Sequence, residues 1–90
     1  MFLSDKLEEI QRMDISSAEK RKLIVKELFS RIPKPEVGVA KFLDELKCID
    51  NSYQYFCKKY SDYNPIGFRT ILLKDIPEAD AEKLKTALNW

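Results

Sequence analysis

Apolar residues recur along this chain at helical rather than strand spacing. Val39, Phe42, Leu43, Leu46 and Ile49 fall on one stripe of a 3.6-residue period, and Tyr53, Phe56, Cys57 and Tyr60 fall on another. A polar interval, Asp50-Asn51-Ser52, separates the two. The pattern predicts a third helix over about 35–48 and a fourth from about 51 to 61, with the rest of the chain covering their apolar faces.

Leu3, Leu7 and Ile10 form the stripe of a first helix over about 4–13, with Ser4 as its N-cap and acidic residues in the early turns. Ser16 and Glu19 have capping-box spacing, which starts a second helix near residue 17. That helix carries Ile24, Val25, Leu28, Phe29 and Ile32 on one broad face. Pro33-Lys34-Pro35 ends it, and Gly38 weakens the start of the next. Asn64-Pro65 opens a fifth helix; a strand over 66–73 is the competing reading, disfavoured because Ile71, Leu72 and Leu73 do not alternate. Ile76-Pro77 starts a last helix that buries Ala81, Leu84 and Leu88. The expectation is one all-α domain, residues 1–90, a bundle of about six short helices around Leu28, Phe42, Leu43, Leu46 and Phe56.

Composition narrows the function classes. Ninety residues suit one modest core. A net charge of +1 is low for a dedicated polyanion binder. Histidine, the commonest general base and metal ligand, is absent, and the two cysteines, Cys48 and Cys57, are neither a disulfide scaffold nor a C-x-x-C pair. Both are expected to be reduced, packed thiols. Paired carboxylates such as Asp44-Glu45 diverge by about 100° on a helix and do not converge on a substrate. No catalytic, metal or cofactor constellation is legible, and the chain reads as a non-enzyme. No apolar run is long enough to span a bilayer, and charge follows the N-terminus at once, so no membrane partner, no secretory signal and a cytoplasmic location are expected.

Three segments resemble the death-fold superfamily, specifically caspase-recruitment domains. Ile15-Ser16-Ser17-Ala18-Glu19 is similar to the opening of that family's second helix. Phe42-Leu43-Asp44-Glu45-Leu46 is similar to its third-helix L-L-D-x-L pattern, and Ser52-Tyr53-Gln54-Tyr55-Phe56-Cys57 to its following helix. The short first helix and Pro33-Lys34-Pro35 depart from the family. The resemblance implies a six-helix, non-catalytic adaptor that binds like domains through acidic and basic patches.

The charge pattern offers such patches beside the plain reading of solvated helix faces. Lys20, Arg21, Lys22 and Lys26 make the second helix basic, while Asp44 and Glu45 make the third acidic. Arg21 interrupts the apolar face and reads as a snorkelling side chain. Leu23 projects from the opposite side of that helix, an apolar centre among Lys20, Lys26 and Glu27, as an interface anchor would. Tyr55 lies off the apolar stripe beside Lys58 and Lys59 and suits either a protein interface or base stacking. The leading expectation is a protein-interaction module docking through charged helix faces, with a protein partner or a second copy. The alternative is a helix-turn-helix or winged nucleic-acid binder, with the turn inside 37–60 and a wing strand at 66–73.

Overall fold

The computed structural model describes residues 2–90, the Pro35 side chain excepted. It contains five α-helices: α1 (Leu3–Gln11), α2 (Ser17–Ser30), α3 (Val39–Lys59), α4 (Gly67–Lys74) and α5 (Glu78–Leu88), with a 3₁₀ turn at Pro35–Val37. No strand occurs among the described residues, and 67–74 is helical. The all-α expectation holds; the count of about six does not, nor does the competing strand at 66–73.

The difference lies in α3, a single helix of 21 residues and about 30 Å where two were expected. Its buried positions are Leu46, Ile49, Asp50, Tyr53, Phe56 and Cys57, an unbroken helical series running through the polar interval. Asp, Asn and Ser each lower helix propensity by roughly half a kcal/mol, far less than a proline would. That cost is small against the buried stripe on either side. Asp50 continues the stripe, whereas Asn51 is exposed. Ser52–Cys57 therefore belongs to the same helix as Phe42–Leu46.

α1 and α2 form a hairpin whose α1 packs on α3, and α4 and α5 pack on α3 and on each other. The shared core contains Leu7, Ile24, Leu28, Leu46, Phe56 and Phe68. The Phe29 and Phe68 rings meet edge to face at 5.7 Å, and Phe56 packs on Tyr60 and Tyr63, both at 5.0 Å. Glu8 ties α1 to the end of α3: its carboxylate accepts from the Tyr60 hydroxyl at 2.6 Å and from Lys59 Nζ at 2.9 Å. The Tyr63 hydroxyl donates to Gln11.

The helix ends show which local signals hold. Ser16 Oγ accepts from the Glu19 N–H at 3.2 Å, half of the expected capping box. Ser4 is not a cap: α1 begins at Leu3, with Phe2 before it and no side-chain cap. Starting there places Leu3 on the buried stripe with Leu7 and Ile10. Burying a leucine stabilises by about 1.5–3 kcal/mol, against about 1 for a cap. Gly38 precedes α3 at φ +97° with open space beyond its Cα, so conformation rather than crowding requires glycine there. Asn64 Oδ1 accepts from the Ile66 N–H and organises the turn into α4. After α5, Asn89 is left-handed; Trp90 N–H bonds Lys85 C=O and Asn89 N–H bonds Thr86 C=O, a Schellman ending.

Candidate functional site

The first two turns of α3 extend past the core. Val39 is 77% exposed, and Phe42 and Leu43 are half-buried, whereas Leu46 one turn on is fully buried. Phe42 and Leu43, expected at the centre of the core, therefore pack at its margin instead. α5 approaches the uncovered end from the side. Between the two helices lies an apolar groove of about 320 Å³ lined by Val39, Phe42, Leu43, Leu84 and Ala87, with Asp80 and Lys83 at its rim. Asp80 and Lys83 are exposed and form no ion pair among the described residues. No sequence signal marks this groove; Phe42 and Leu43 share a stripe with Leu46 and read as core.

A second cluster joins α3, α4 and the C-terminal residue. The Asp50 side chain is 3% exposed and accepts from Arg69 Nη2 at 2.8 Å and from Nε at 3.2 Å. The Arg69 guanidinium also lies 4.9 Å from the Trp90 ring centroid, and that ring meets Phe68 edge to face. The paired carboxylate raises the Arg69 pKa further above its ordinary value. The chemistry here is structural: a charge placed in the core is held by a cation that caps it from the surface side.

The residues singled out in the sequence fall on separate surfaces. Leu23 is 36% exposed on the outer face of α2, beside exposed Lys26, with Lys20 half-buried. Tyr55 is 64% exposed on α3, near Ser4, Asp5 and Lys59. Lys58 is exposed beside it, but Lys59 is engaged by Glu8, which raises its pKa. The same contacts, Tyr60 first and then Lys59, hold the Glu8 carboxyl below its ordinary range. Asp44 is exposed, and half-buried Glu45 lies near Arg31 and Cys48. These positions do not converge on one site. Arg21 is exposed and, with Ile24, Tyr53 and Phe68, lines a cavity of about 400 Å³ between α2, α3 and α4.

Cys57 is buried and Cys48 exposed, and they are unbridged. Burial raises the pKa of the Cys57 thiol and of the neighbouring Tyr53 hydroxyl. Among the described residues no three or more Cys, Asp or Glu side chains cluster to hold a metal, and no helix is long and apolar enough to cross a membrane. The helix-turn-helix of the alternative reading is not formed inside 37–60, because α3 is continuous over Val39–Lys59, and 67–74 is helix and not a wing strand. Comparison of the chain with protein-family models, with curated proteins and with solved structures finds no match.

Proposed function

We propose that this chain is a non-catalytic protein-interaction module whose docking surface is the α3/α5 groove. The observation that supports this most is the exposure of Val39 beside half-open Phe42, Leu43 and Leu84. Contiguous apolar surface rimmed by charge is the common composition of a protein interface. The reading keeps the adaptor class implied by the resemblance to caspase-recruitment domains, but moves the contact from charged helix faces to an apolar groove. Leu23 and Tyr55 are single exposed side chains, and isolated apolar residues are ordinary on protein surfaces. Lysines beside them add steering rather than a pocket.

Site-specific photo-crosslinking tests the proposal in cells that make the protein. A benzophenone side chain at Val39 is expected to give discrete adducts that Ala87→Asp abolishes. The same probe at Lys22 on α2 is the control. Adducts at Val39 no stronger than at Lys22 would overturn the assignment, and strong adducts at Leu23 would move the docking face to α2.

A further inference from the structure

We infer that the partner in the groove is a second copy of this chain, docked antiparallel through α5 about a two-fold axis. This rests on the groove being a docking surface, as proposed above. The α5 residues that line the groove and its rim are Asp80, Lys83, Leu84 and Ala87, and exposed Ala79 lies next to Asp80 on the helix surface. All are exposed except half-buried Leu84. The set is self-complementary. A two-fold axis crossing α5 midway between Asp80 and Lys83 sets Asp80 opposite the second copy's Lys83, and Ala79 opposite its Leu84, each pairing occurring twice.

The charge distribution along the whole helix points the same way. Glu78, Asp80 and Glu82 precede Lys83 and Lys85, so antiparallel helices bring acidic halves against basic halves and oppose their dipoles. Neither Asp80 nor Lys83 has an ionic partner among the described residues. The second copy's first α5 turn then lies in the groove, with Val39 and Phe42 closing over it. A net charge of +1 leaves two copies with little long-range repulsion.

Sedimentation equilibrium over a concentration series tests this, with far-UV circular dichroism melts as the folding control. The wild-type chain is expected to dimerise. Asp80→Lys and Lys83→Asp each place like charges opposite one another twice, and each is expected to weaken the dimer by about tenfold at low salt. The double exchange, Asp80→Lys with Lys83→Asp, restores opposite pairs and is expected to recover affinity to within about threefold. Val39→Asp should abolish the dimer. A wild-type chain that stays monomeric throughout would overturn the inference, as would a double exchange no better than the single variants. A dimer lost with Val39→Asp but indifferent to the charge exchanges would overturn the α5 register and keep the groove as a docking face. A dimer indifferent to every one of these changes would overturn both readings.

Discussion

Removing the cation from the Asp50–Arg69 pair should cost more than neutralising the carboxylate, and the size of the difference follows from burial. The Asp50 side chain is 3% exposed and the Arg69 side chain 32%. Arg69→Leu leaves a carboxylate in the core with water unable to replace its two donors. Breaking a buried pair from that side costs on the order of 3–5 kcal/mol, and the lost stacking on Trp90 adds roughly 0.5–1. Asp50→Asn keeps the side-chain volume and one oxygen to accept from Arg69, while the guanidinium can hydrate from its exposed side. That change should cost about 1–2 kcal/mol, the value of a charge-assisted hydrogen bond made ordinary. Replacing both by leucine should restore much of the loss, since an apolar pair needs no compensation. Urea unfolding followed by far-UV circular dichroism gives all three values, with fluorescence of Trp90, the only tryptophan, as a local probe. A small domain has about 5–15 kcal/mol in total, so Arg69→Leu should shift the midpoint severely. Equal effects below about 1 kcal/mol for both single variants would refute the reasoning and mean that water reaches the pair.

Gly38→Ala should destabilise by about 1–2 kcal/mol because φ is +97° there, whereas Gly67→Ala, helical and with only ordinary contact to Tyr53 at 3.5 Å, should be neutral or slightly stabilising by denaturant titration. Phe56→Ala should cost about 3–5 kcal/mol, and half-buried Phe42→Ala clearly less; equal losses would place Phe42 in the core after all. Glu8 is held below its ordinary pKa of 4.5 in the folded chain, so its contribution is present above that pH and lost as pH falls through the depressed value. Thermal melts of wild type and Glu8→Gln should accordingly differ at neutral pH and converge in acid, and a gap independent of pH would contradict the ion pair. Native thiol labelling should modify Cys48 at once and spare Cys57 until the chain unfolds.

Much of the fold was legible because most boundaries are marked by residues with strong local preferences. Ser16, Pro33-Lys34-Pro35, Asn64-Pro65 and Pro77 all lie at or near element boundaries in the structure. The false break at 50–52 came from residues with weak preferences, which a continuous buried stripe overrides. Asp50 showed as polar in the sequence; that it would be buried depends on Arg69, nineteen residues on, and no local pattern reports such a pairing. The groove was hidden for a related reason. Val39, Phe42 and Leu43 share a face with Leu46, and periodicity cannot tell where along a helix the covering elements stop. The exposure of Leu23 and Tyr55 was readable from the wheel, because each lies off its helix's apolar stripe.

The groove and its proposed occupant meet most directly in an amide chemical-shift map of the ¹⁵N-labelled chain on serial dilution. Two copies docked through α5 predict concentration-dependent shifts confined to residues 39–43 and 79–87, with α2 and the Tyr55 surface unmoved. Shifts centred on Leu23 or Tyr55, or a spectrum unchanged at every concentration, would contradict it.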